Sequence, residues 1–187
     1  MSEPHKPIPS EELIKEGTIK GRVALEYLDQ HREYLYHGST QKLERLEPRQ
    51  GEQMGEPDGD PAIAATNRVD IAIFRALISG HASRAKGRDK HYSSFGRHED
   101  GAIHLDALAE DINDARRDDA VGYVHVFKKA EFTPYPRDDS PDALTEEHLY
   151  EYRSHQPVVP TFVVEVNGKD LPKDIGLLNY EDGRPKD

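Results

Sequence analysis

One stretch constrains this chain more than any other. Val69, Ala72, Ile73, Ala76 and Leu77 recur at i, i+3, i+4, i+7 and i+8, the spacing of one helical face, while Ile71, Phe74 and Ile78 supply a second apolar face. Only Asp70, Arg75 and Ser79 interrupt the run. A helix with two apolar faces must be covered on both sides, so it predicts a layered fold with this helix largely buried. Asn67 is the expected N-cap and Ser79-Gly80 the expected stop. The chain's 187 residues suffice for one domain with one sizeable core.

The rest of the chain supplies shorter elements. Met1–Pro9 holds three prolines and reads as a loose arm. Ser10 before Glu11 and Glu12 is a helix start, and that first helix is short because Gly17 and Gly21 each cost about 1 kcal/mol in a helix interior. A second helix is expected over residues 21–33, with Val23, Ala24, Tyr27 and Leu28 on one face. Tyr34–Gly38 reads as a strand, Gln41–Pro48 as one helical turn through Leu43 and Leu46, and Arg49–Pro61 as a loop. Ala62–Thr66 suits a buried strand, and Ser93–Phe95 and Ala102–Leu105 suit short ones. Leu105, Leu108, Ala109 and Ile112 predict another amphipathic helix, ending near Arg116 and Arg117.

Val121–Phe127 reads as a strand that is apolar on both faces. Thr133–Asp142 reads as turns. In Pro160–Val166, Phe162, Val164 and Val166 face one way and Thr161 and Glu165 the other, and Asn167-Gly168 marks the turn that follows. From Pro172 onward the tail is polar and is expected to fray. Three or four helices with five or six strands, several of them sequentially isolated, predict an α+β single domain rather than a doubly wound sheet.

Composition narrows function. The 36 acids against 25 Lys and Arg give a formal charge of −11, which disfavours nucleic-acid binding by bulk charge. Zero cysteines exclude a disulfide scaffold, a thiolate nucleophile and Cys-based zinc sites. Met1–Ser10 lacks an apolar core and no apolar run approaches membrane-spanning length, so a cytoplasmic protein with no membrane partner is expected. The ten histidines include His91, His98 and His104 in one stretch, but no HExxH and no compact helical pair, so no metal site is expected. Gly-x-Ser-x-Gly, Walker-type and Rossmann glycine patterns are absent. One segment opposes the overall charge. After Thr66 and up to Arg97 there are seven basic residues, including Arg68, Arg75, Arg84, Lys86, Arg88 and Lys90, against Asp70 and Asp89. That local +5 suits either a solvated loop or a surface meeting a pyrophosphate or nucleic acid.

Three segments suggest chemistry. Tyr36-His37-Gly38-Ser39 ends a strand with an imidazole, an unhindered backbone and a hydroxyl. Ala62–Thr66 feeds the buried helix, where Thr66 and Phe74 are the candidates to face a ligand. Glu151-Tyr152 opens a strand, Gln156 follows, and Pro160-Thr161-Phe162-Val163-Val164 returns. In this order, spanning about residues 34–166, the three resemble the ADP-ribosyltransferase fold, in the branch related to poly(ADP-ribose) polymerases and small bacterial transferases.

The resemblance implies two small packed antiparallel or mixed sheets with flanking helices over residues 34–170. Residues 1–33 would form an N-terminal arm and helices, and 171–187 a polar tail. It implies NAD as substrate and an unknown macromolecular acceptor, protein or nucleic acid, or hydrolysis of NAD. His37 would bond a ribose hydroxyl, Gly38 and Ser39 the nicotinamide amide, and Glu151 the hydroxyl beside the breaking glycosidic bond. Thr66 and Phe74 would complete the NAD site. The chain departs from the family at Ala64, where a tyrosine is expected to cover the nicotinamide. The ring must come from Phe74 or a tyrosine such as Tyr92, or the ligand differs. The alternatives are a non-catalytic nucleotide- or partner-binding domain of the same fold, an enzyme like the RNA 2′-phosphotransferases, and an acidic interaction protein.

Overall fold

The doubly apolar helix forms, and both its faces are covered. The computed structural model describes residues 10–53, 56–78, 93–97, 102–136, 145, 149–178, 180–181 and 184–185. Among them are helices α1 (Glu11–Lys15), α2 (Gly21–Asp29), α3 (Val69–Leu77) and α4 (Ala109–Ala115). The longer strands are β1 (Tyr34–Ser39), β4 (Ile63–Ala65), β5 (Ser93–Arg97), β6 (Ile103–Ala107), β7 (Val121–Lys128), β9 (Tyr152–Ser154) and β10 (Phe162–Asn167). Two-residue strands are β2 (Glu52–Gln53), β3 (Glu56–Pro57), β8 (Thr133–Pro134), β11 (Gly176–Leu177), β12 (Tyr180–Glu181) and β13 (Arg184–Pro185). The result is a mixed α+β single domain of small sheets and few helices.

Two three-stranded antiparallel sheets set the layers, one ordered β1-β7-β10 and the other β4-β9-β8. Side chains alternate across a strand, and both faces of the first sheet are used. Tyr34, Tyr36, Val124, Val126, Phe162, Val164 and Val166 meet α1, α2 and α3 in the larger core. Leu35 and Phe127 point the other way and meet Ile63, Ala65 and Tyr152 of the second sheet. This is why β7 reads apolar on both faces: it is central, and buried on both. Leu25 and Leu28 of α2 are fully buried, each worth about 2 kcal/mol in area removed from water. A third sheet, β11-β6-β5, has β11 parallel to β6.

Gly38 is where α3 seats on β1. A Cβ there would lie 2.1 Å from the Ala72 carbonyl oxygen and 2.6 Å from the Ala76 nitrogen. The glycine is required by the helix before any ligand is considered.

Several expectations are corrected. Helix α2 stops at Asp29, short of residue 33, with Arg32 in the left-handed region at φ 51°. No helical turn forms over 41–48, because Leu46 exchanges backbone bonds with Val158 instead. Asn67 is not the N-cap of α3. Arg68 occupies that position without a side-chain cap, and the Asn67 amide donates to the Leu149 carbonyl. Leu105 lies in β6, so the following helix begins only at Ala109. The tail is not all loose: Leu171 is buried and β11 joins a sheet. The arm at 1–9, Ser79-Gly80, residues 137–142, and Arg84, Lys86, Arg88, Lys90, His91, Tyr92 and His98 lie outside the described residues.

Candidate functional site

The two sheets are joined at one corner, and the corner makes a cleft. Tyr36 and Thr66 exchange backbone hydrogen bonds of 2.8 and 2.9 Å, bringing β1 against the end of β4. The next residue, His37, then faces β4, and its Nδ1 lies 2.7 Å from the Ala64 carbonyl oxygen. A carbonyl only accepts, so Nδ1 carries the proton and Nε2 keeps its lone pair. Burial pushes the imidazole's pKa below the ordinary histidine value, the Ala64 bond opposes this, and Arg75 and Arg49 push the same way as burial. The neutral imidazole is therefore the resting form.

Strand β4 pairs in turn with β9, Ala64 opposite Arg153 and Ala65 opposite Tyr152. Tyr152 enters the core between the sheets. By the same alternation Glu151 and Arg153 take the other face, beside Ala64. His37, Gly38, Thr66 and Glu151 thus line one cavity of about 200 Å³. Ser39 and Phe74 do not line it. Ser39 Oγ accepts from the Gln41 N–H, closing the turn after β1, and Phe74 is fully buried in the helical core. Thr66 Oγ1 accepts from the Arg68 N–H at 3.1 Å, a bond that does not use its O–H donor.

Glu151 is 5% exposed, which for a carboxylate demands partners. Arg153 is one of them, its Nε donating to Glu151 Oε1 at 2.8 Å. The same guanidinium donates through Nη2 to Asp58 Oδ2 at 2.6 Å and through Nη1 to the Asp58 carbonyl at 2.9 Å. The Tyr135 ring stacks on it at 3.5 Å.

The far wall of the cleft carries Phe95 and Tyr150, edge to face with centroids 6.4 Å apart, and Arg75 sits 5.4 Å over the Phe95 ring. Ala64 offers no ring, as expected, and Phe74 does not replace it. These groups were missed in the sequence. Arg153 was within reach, since two residues after Glu151 on a strand means the same face. Phe95 and Tyr150 carried no local signal.

Behind His37, at the paired position on β7, stands His125. It is fully buried, and its Nε2 accepts from the Leu43 N–H at 2.9 Å. Burial, with the neighbouring His37 second, lowers its pKa to about 4. Among the described residues no group of three or more His, Cys, Asp or Glu is placed to hold a metal ion, and no helix is long and apolar enough to cross a membrane. No known protein family, curated protein or solved structure matches this chain.

Proposed function

We propose that this protein is an NAD-dependent ADP-ribosyltransferase, moving ADP-ribose to a macromolecular acceptor or to water. The observation that carries the reading is the meeting of His37 and Glu151, 114 positions apart in sequence, across one cleft beside Gly38. Each residue suits its part. The His37 Nε2 lone pair accepts from a ribose hydroxyl. Gly38 shares the strand edge used by Tyr36, because backbone groups two residues apart point the same way. Its N–H and C=O lie beyond the Thr66 bridge and suit a planar carboxamide, which needs one donor and one acceptor. Glu151 takes the hydroxyl beside the glycosidic carbon.

Departure of nicotinamide leaves positive charge on the ribose, as in glycoside cleavage. A carboxylate fixed beside that carbon stabilises it more in the transition state than in the ground state. The same carboxylate accepts the proton of the incoming nucleophile. Phe95 and Tyr150 supply the ring face that Ala64 lacks, and Arg75 offers a cation to the pyrophosphate. The cavity volume, about 200 Å³, lies below the roughly 300–1,000 Å³ of sites that enclose a whole ligand. It suits the nicotinamide and its ribose, with the adenosine half along the open rim.

One observation favours a second reading, a nucleotide-binding domain without turnover: Glu151 Oε1 is already held by Arg153. Nicotinamide release from NAD separates the two. Release without acceptor supports hydrolysis, and release only with a cell extract supports transfer. NAD binding with no release in either condition supports the second reading, and no NAD binding removes both.

A further inference from the structure

Arg153 is spent inside the molecule. Its Nε, Nη1 and Nη2 all donate to protein oxygens, one face of its guanidinium plane is stacked on the Tyr135 ring, and its side chain is 7% exposed. A guanidinium so engaged is not placed to receive a substrate phosphate, although it lines the cleft. What it does is join two parts of the wall. One is Glu151, on its own strand. The other is Asp58, 95 positions away, on a strap whose described residues are 49–53 and 56–62.

The strap is built to arrive there. Arg49 and Ala62 close its base with two backbone bonds, 3.2 and 3.0 Å. The Asp58 N–H donates to the Gly51 carbonyl at 2.9 Å, and the Gln50 amide donates to the Gly59 carbonyl at 2.8 Å. Gly59 has φ 71°, in the left-handed region, and a Cβ there would stand 3.0 Å from Arg153 Nη1. Glycine thus both makes the turn and lets the strap close over the guanidinium.

We infer that Arg153 is a positioning residue, held by Asp58 and the strap, that fixes the Glu151 carboxylate in the cleft. It acts through Glu151, not on the substrate. The inference rests on the transferase reading for its effect on turnover, but the clamp itself does not.

Two measurements on the full chain test it separately. The first needs no activity. The Arg153 Nε–H should give a distinct, slowly exchanging signal in proton–nitrogen correlation spectra. Asp58→Ala should return that signal to the group of exposed arginines, with Asp58→Asn intermediate. An unchanged signal in Asp58→Ala overturns the clamp.

The second measurement is steady-state nicotinamide release. A carboxylate displaced by about 1 Å costs about 100-fold, so Arg153→Met should lower kcat by about that factor. KM for NAD should stay within about twofold of wild type, because no substrate contact is removed. Arg153→Lys should recover part of kcat by restoring the charge without the planar fork that spans Glu151 and Asp58. A rise in KM with kcat unchanged would make Arg153 a substrate contact and overturn the positioning role, as would unchanged turnover. No release by the wild type would remove the transferase reading and, with it, the role in turnover, leaving the clamp to stand or fall on the arginine signal.

Discussion

The two faces of the central sheet are built from different materials. On the helix side, Tyr36, Val124, Val126, Val164 and Val166 meet α2 and α3 in a core with few buried polar groups. On the other side a smaller core around Leu35, Phe127 and Tyr152 gives way to buried Thr66, His125, Glu151, Arg153 and Ser154. Among the described residues the remaining buried polar group is Asp111, on α4. The helix side buys the fold. The sheet side spends part of that stability on holding charged and hydrogen-bonding groups out of water, where each costs energy unless paired. Function belongs where burial is unfavourable and is nonetheless maintained.

The largest expected effect breaks the helix side. Gly38→Ala drives a methyl into the α3 backbone, where neither side has a flexible side chain to yield. Destabilisation of about 3 kcal/mol or more is expected in urea unfolding. A loss below about 1 kcal/mol would mean that α3 is not seated on β1 as described.

The second effect lies on the sheet side and is read by pH. The folded-state pKa of His125, about 4, lies below its ordinary value of 6.5. The unfolded chain therefore takes up the proton first on acidification. The stabilisation is complete above about pH 6.5 and is lost progressively as pH falls toward 4, by about 3 kcal/mol in all. His37, shifted in the same direction, adds to the slope. Urea midpoints taken from pH 7 to pH 4 should fall steeply, and His125→Gln should reduce the slope although it starts from a lower stability. An equal slope in that variant would remove His125 from the account.

The smallest effect sharpens the comparison by crossing it. Phe74→Leu, in the helical core, should cost about 1 kcal/mol of stability and leave NAD affinity within about twofold. Phe95→Leu, in the cleft, should do the reverse, weakening NAD about tenfold, in line with the 1–3 kcal/mol of aromatic stacking on a base, with stability little changed. The comparison fails if both variants behave alike in calorimetric titration and thermal unfolding.

What the sequence made legible follows the same division. Periodicity found α3, β7 and β10, because a continuous apolar pattern is a local property that burial on one or both faces imposes. It misplaced Leu43 and Leu46 as a helical turn, and it counted Leu105 both at the end of a strand, where it lies, and at the start of a helix that begins only at Ala109. Two apolar residues at i, i+3 fit a turn or an extended segment equally, and pairing with distant Val158 decided the first case. Asn67 was a reasonable cap by type, but the Leu149 carbonyl competed for its amide. In the site, His37, Gly38, Thr66 and Glu151 come together, while Ser39 and Phe74 are turned to a loop and the core. Asp58 was unreadable, since nothing local announces a partner 95 residues away.

The central claim is that Glu151 works as a charge facing the ribose while His37 and Gly38 hold the ligand. Replacing that carboxylate with its neutral isostere and measuring nicotinamide release beside calorimetric NAD affinity tests it most directly. Glu151→Gln is predicted to lower release by at least about 100-fold, the scale of losing one preorganised electrostatic group, with NAD affinity within about threefold of wild type. Release at the wild-type rate from that variant would contradict the account.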